Sequence, residues 1–150
     1  MVKSRIKFNP ADYRYKSLVI DTSVLVKFFL NEEGADVVYN LMEMRKDCEV
    51  TIFATPMIVY EFLNVLAKTF GDSSSVMDAY CKFKEFNIGL IDPDDKFIDE
   101  AVCSVCKDYS LSYYDASYHA LAKDMGAVFL TADKKYYDAM KGKGNIVFFE

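Results

Sequence analysis

Four carboxylates, Asp21, Glu61, Asp115 and Asp133, carry the chemistry this sequence offers. Asp21 follows the apolar run Leu18-Val19-Ile20, and Asp133 closes Leu130-Thr131-Ala132-Asp133. Each has ordinary structural work open to it. Asp21 and Asp133 stand where a helix N-cap would, and Ser112-Tyr113-Tyr114-Asp115 has the spacing of a capping box. Glu61 is harder to explain that way. Within the helical pattern Pro56–Phe70 the charged or amide side chains are Glu61, Asn64 and Lys68, spaced to share one narrow face. So apolar a helix is expected to be largely buried, its polar stripe meeting solvent or a polar cavity. Four acids brought together repel unless some are protonated or a divalent cation sits among them. Magnesium or manganese suits an all-oxygen site. Such an ion turns its bound water into a nucleophile and stabilises charge on a phosphodiester under attack.

The elements that must position these residues alternate. Strand signals are Leu18–Ile20, Val50–Ala54, Ile88–Ile91, Val128–Thr131 and Ile146–Phe149. Three of them are nearly continuous apolar runs, as in strands covered on both faces. Helical patterns lie between them at about Ser23–Phe29, Glu33–Arg45, Pro56–Phe70, Ser73–Phe86, Asp94–Asp108, Tyr113–Met125 and Lys134–Met140. The alternation predicts an α/β three-layer α/β/α sandwich with a mostly parallel central sheet and its site at the carboxyl ends of the strands.

The 150 residues suit one domain, and 52% hydrophobic with 27% charged content excludes a disordered chain. No apolar run reaches the roughly 20 residues of a membrane span, and no signal peptide is visible, so no membrane partner and a cytoplasmic location are expected. Cys48, Cys81, Cys103 and Cys106 read as buried thiols in a reducing compartment; one C-x-x-C beside a single histidine makes a poor zinc site. Net charge is −5, which by itself disfavours a nucleic-acid partner. Residues 1–16, however, set Lys3, Arg5, Lys7, Arg14 and Lys16 against Asp12 alone, five positive charges against one negative. They read as a basic N-terminal extension before a domain at 17–150.

The motifs resemble those of the PIN-domain family, and within it the VapC-type toxins. Asp21-Thr22-Ser23-Val24-Leu25 is similar to the first family motif, and Tyr60-Glu61-Phe62-Leu63-Asn64 to the second. Leu111–Ala122, containing Asp115, is similar to the third, and Leu130–Asp133 to the fourth. Each is short, but their order and spacing run from residue 17 to about 148. The resemblance implies an Mg2+- or Mn2+-dependent endoribonuclease with Asp21, Glu61, Asp115 and Asp133 as catalytic and metal-binding residues. It also implies an RNA substrate, an antitoxin protein partner and a homodimer.

Ser23, Asn64, Thr131, His119 and Lys134 are the candidates for supporting the acids or touching substrate. His119 stands where the family commonly has an aliphatic residue, and more often such a histidine only packs. Lys27, Lys134 and Lys135 could meet phosphate, and Tyr113, Tyr114, Tyr136 and Tyr137 could stack on unpaired bases. Phe28, Phe29, Val37, Val38, Leu41, Met42 and Met44 offer a surface for an antitoxin helix, or simply a well-filled core. The alternatives are a stand-alone PIN nuclease in RNA processing and a non-catalytic PIN-like binding module. Receiver and haloacid-dehalogenase patterns are not matched: no acidic pair precedes a phosphoacceptor, and Asp21-Thr22-Ser23 is not Asp-x-Asp.

Overall fold

Leu18, Val19 and Ile20 all have zero exposure, so this run has no solvent side and reads as the centre of a covered sheet. The structure, a computed structural model, describes residues 8–94, 96 and 111–150. Its elements are β1 (Ser17–Ile20), α1 (Thr22–Phe29), α2 (Ala35–Lys46), β2 (Thr51–Ala54), α3 (Met57–Thr69), α4 (Ser73–Glu85) and β3 (Gly89–Leu90). After the undescribed stretch come α5 (Tyr113–Met125), β4 (Val128–Thr131), α6 (Lys134–Met140) and β5 (Ile146–Phe148).

The five strands form one sheet in the order β3-β2-β1-β4-β5, and every pairing is parallel. The chain steps outward from β1 through β2 to β3, then crosses back to β4 on the other side of β1. The direction of winding therefore reverses between β1 and β4, where the carboxyl ends of α/β strands leave a crevice. Asp21 follows β1 and Asp133 follows β4, so both stand at that crevice. Helix α5, which carries Asp115, packs on β1 and β4. Gly126 ends it at φ 62°, a left-handed turn that suits glycine and leads directly into β4.

Several expectations are corrected. Helix α3 is less enclosed than its composition suggested: Ile58, Phe62 and Leu66 are buried, while Asn64 and Lys68 face solvent. The apolar surplus on the first two helices is largely core. Val38, Leu41 and Met42 are fully buried, and Phe28, Phe29, Val37 and Met44 pack against them. Cys48 and Cys81 are exposed free thiols, not buried ones. Residues 8–16 pack onto the domain: Phe8 is buried between the rings of Tyr15 and Phe149, at centroid distances of 4.9 and 5.9 Å. Arg14 pairs with Asp12 at 2.6 Å. The C-x-x-C at 103–106, the expected helix over Asp94–Asp108, and Lys3, Arg5 and Lys7 lie outside the described residues.

Candidate active site

The site is built outward from Asp21. Its side chain caps α1, with Oδ1 accepting from the Val24 N–H at 3.2 Å. The cap is only part of its work. Ser23 Oγ donates to Oδ1 and Thr131 Oγ1 donates to Oδ2, each at 2.5 Å. Both hydroxyls in turn accept from backbone: Ser23 from the Ala132 N–H at 2.9 Å, Thr131 from the Asp133 N–H at 3.0 Å. The start of α1 is thereby tied to the segment between β4 and α6 through one carboxylate. Burial pushes Asp21 up to about 6, against three hydrogen bonds that favour the ionised form, and the negative charge of Asp133 adds to the rise. Asp133 caps α6 by accepting from the Tyr136 N–H at 2.9 Å.

Glu61 is half-buried on α3 and receives two hydroxyls on a single oxygen. Thr22 Oγ1 donates to Oε2 at 2.9 Å and Tyr118 OH donates to the same atom at 2.5 Å. Neither Thr22 nor Tyr118 was singled out in the sequence. The available signal was Tyr118 itself, a polar-tipped ring three residues beyond Asp115 in a helix that, His119 apart, is otherwise buried through small and aliphatic residues.

Asp115 is different. Ser112 caps α5 by accepting from the Tyr114 N–H at 3.1 Å, but Asp115 returns no bond to Ser112, so the capping box is only half made. Among the described residues the Asp115 side chain makes no hydrogen bond. Burial raises it to about 7, followed by the charges of Asp133, Asp21 and Glu61, with Lys135 opposing. The charges of the other three acids are all felt at Asp115. No ion pair among the described residues includes any of the four.

The remaining candidates divide. Ser23 and Thr131 are in the network. Asn64 is exposed and makes no hydrogen bond among the described residues, to Glu61 or elsewhere. His119 is buried, with both nitrogens occupied: Nε2–H donates to the Gly144 carbonyl at 2.7 Å, and Tyr136 OH donates to Nδ1 at 3.0 Å. Burial lowers it to about 4, so it is a neutral ring tying α5 to the loop before β5. Lys134 and Lys135 are exposed beside Asp133. Lys27 instead reaches the Glu33 carbonyl at 3.3 Å. Tyr113 and Tyr114 are exposed at the start of α5, whereas Tyr136 is core and Tyr137 packs on Phe148.

Among the described residues no three His, Cys, Asp or Glu side chains already converge as a metal-binding group. The acids fit a hard divalent cation by donor chemistry and by uncompensated charge, not by a preformed coordination shell.

The PIN domain family model matches residues 18–142. The chain belongs to the PIN-domain family. No curated protein sequence matches it. Among solved structures, this PIN domain is similar to PAE2754 from Pyrobaculum aerophilum at 23% identity and a TM-score of 0.62, over 88% of this chain and 90% of that one. It is also similar to a chain of VapBC2 from Rickettsia felis, solved with a promoter DNA fragment, at 14% identity and TM-score 0.65, over 88% and 96%. VapC20 of Mycobacterium tuberculosis, described as a toxin cleaving the sarcin-ricin loop, matches at 11% and 0.59, over 81% and 94%. These identities establish a shared fold. No helix among the described residues is long and apolar enough to cross a membrane.

Proposed function

We propose that this PIN domain is a metal-dependent endoribonuclease that uses Mg2+ or Mn2+, and that it acts as the toxin of a toxin–antitoxin pair. The observation that carries the nuclease reading is Asp115: a carboxylate at the mouth of a sheet crevice, beside three other acids, with no hydrogen bond and no ion pair among the described residues. A folded chain does not keep such a group at neutral pH without cost, and a bound cation removes that cost. Asp21, Glu61, Asp115 and Asp133 would hold the ion, which supplies a nucleophilic water and charge stabilisation at phosphorus.

The chain's own contribution is positional. Ser23 and Thr131 fix both oxygens of Asp21, Thr22 and Tyr118 fix one oxygen of Glu61, and Asp133 is fixed by capping α6. Lys134 and Lys135 lie where a phosphate chain passing the site would meet positive charge. The toxin assignment and an antitoxin partner draw on the likeness to the VapBC2 and VapC20 folds. A homodimer and a cytoplasmic location accompany that assignment.

The test is cleavage of a panel of structured RNAs by wild type and Asp21→Asn, with Mg2+, with Mn2+ and with EDTA. Cutting by wild type alone, and only with metal, is the expected result. Cutting by both proteins removes Asp21 from the chemistry. Metal binding without cutting by either favours the non-catalytic PIN-like module.

A further inference from the structure

We propose that Tyr118 is a positioning residue that, with Thr22, fastens Glu61 by Oε2 and leaves Oε1 available to a divalent cation. The inference rests on the nuclease reading and deepens it. Both donors, Thr22 Oγ1 at 2.9 Å and Tyr118 OH at 2.5 Å, converge on the same oxygen. Among the described residues Oε1 has no hydrogen-bond partner. At Asp21 the hydroxyl donors are divided between the two oxygens, Ser23 on one and Thr131 on the other. Glu61 is instead bound on one side and open on the other.

Tyr118 is well placed to hold it. Its ring has zero exposure and lies nearly parallel to Phe129 of β4, at 6.1 Å and 9°. The hydroxyl therefore has little freedom, and its position is set by the sheet. Tyr118 also lies three residues beyond Asp115 on α5, so one helix both carries Asp115 and anchors the carboxylate that α3 contributes. Glutamate has more rotatable bonds than aspartate, and fixing one oxygen removes that freedom before the ion arrives. Outer hydrogen bonds of this kind govern metal affinity by about 10- to 100-fold.

The experiment measures Mn2+ affinity of the full chain, from the free-ion paramagnetic resonance signal, for wild type, Tyr118→Phe, Glu61→Gln and the double variant. Phenylalanine keeps the stacked ring and removes only the hydroxyl. The expected result is a roughly tenfold weaker affinity for Tyr118→Phe, with no further loss when it is added to Glu61→Gln. In cleavage assays the Mn2+ concentration for half-maximal rate should rise by the same factor, while the rate at saturating Mn2+ falls much less. A residue that merely packs would lower the melting temperature and move neither quantity. Wild-type affinity in a folded Tyr118→Phe, with Glu61→Gln weakened, overturns the proposal. Wild-type affinity in Glu61→Gln sinks the assignment of Glu61 to the metal, which is the reading beneath it. Should Tyr118→Phe fail to fold, Thr22→Val probes the same oxygen: a several-fold loss supports the fastening and an unchanged affinity refutes it.

Discussion

At the strand end of the acidic cluster, Asp21 is buried and receives three donors, two of them hydroxyls that are themselves pinned by backbone N–H groups. At the helical end, Asp115 sits in the first turn of α5 with no side-chain hydrogen bond among the described residues and three negative neighbours. Both are pushed up, Asp21 to about 6 and Asp115 to about 7, burial leading in each case. The same residue type is thus used in two ways. Asp21 joins β1 to β4 and belongs to the architecture as well as to the proposed chemistry. Asp115 gives the fold nothing that can be identified, and its environment improves only when positive charge arrives.

The comparison predicts unequal consequences for equal substitutions. The largest concerns Asp21→Asn. Asparagine caps helices as well as aspartate, so the fold should survive. Cleavage should fall by more than about 100-fold, beyond what losing an outer partner costs. An unfolded variant would mean that Asp21 is architecture before it is chemistry.

Next is Thr131→Val, which removes a donor to Asp21 and the acceptor of the Asp133 N–H, both at a buried position. Urea denaturation should show a loss of about 1–3 kcal/mol. Thr22→Val, on the half-buried helical side, should cost less than about 1 kcal/mol. Equal losses would erase the distinction between the two ends.

Asp115→Asn should do the opposite and stabilise the metal-free chain, with a sign that depends on pH. Because Asp115 and Asp21 are raised, the folded chain holds more protons than the unfolded one. Their favourable contribution is complete below the ordinary carboxylate range and is lost as pH rises through about 6 for Asp21 and about 7 for Asp115. The lowered His119 works the other way, losing stability as pH falls from 6.5 towards about 4. Comparing Asp115→Asn with wild type at each pH cancels His119, and cancels Asp21 apart from its coupling to Asp115. Discounted for solvent screening, the gain at pH 8 is of order 1 kcal/mol, roughly 2–4 °C in melting temperature. At pH 5 the folded Asp115 is neutral but the unfolded one is still largely ionised, so the gain should shrink to well under half of that at pH 8. A gain of the same size at pH 5 would mean that repulsion is not its source.

The smallest effect belongs to Lys135, whose exposed charge is felt at Asp115. Lys135→Ala should weaken RNA binding about threefold and reduce its salt dependence, leaving the cleavage rate at saturating RNA nearly unchanged.

The strands were legible because apolar runs without alternation have one reading in an α/β chain, and Asp21 and Asp133 were legible because each directly follows such a run. Three side chains on the helices were not. Tyr118 and His119 stand three and four residues beyond Asp115, a difference of one position that sends them to opposite duties. Tyr118 meets Glu61, while His119 turns to Tyr136 and Gly144. Spacing identifies a shared face but not which side of that face a ring leaves from. Asn64 failed for a related reason. The polar stripe on α3 runs from the crevice out to solvent, so only its first member, Glu61, reaches the cluster. The apolar surplus on α1 and α2 misled because partly covered core residues and a docking surface have the same composition.

The most direct test of the central claim, that these four acids form a cation site, is calorimetric titration of Mn2+ into the metal-free chain at pH 7.5, beside Asp115→Asn. The account predicts saturable binding by wild type and loss of most of it in the variant, without unfolding. No binding by wild type, or equal binding by both, would contradict it and leave Asp115 as an unexplained carboxylate in a PIN fold.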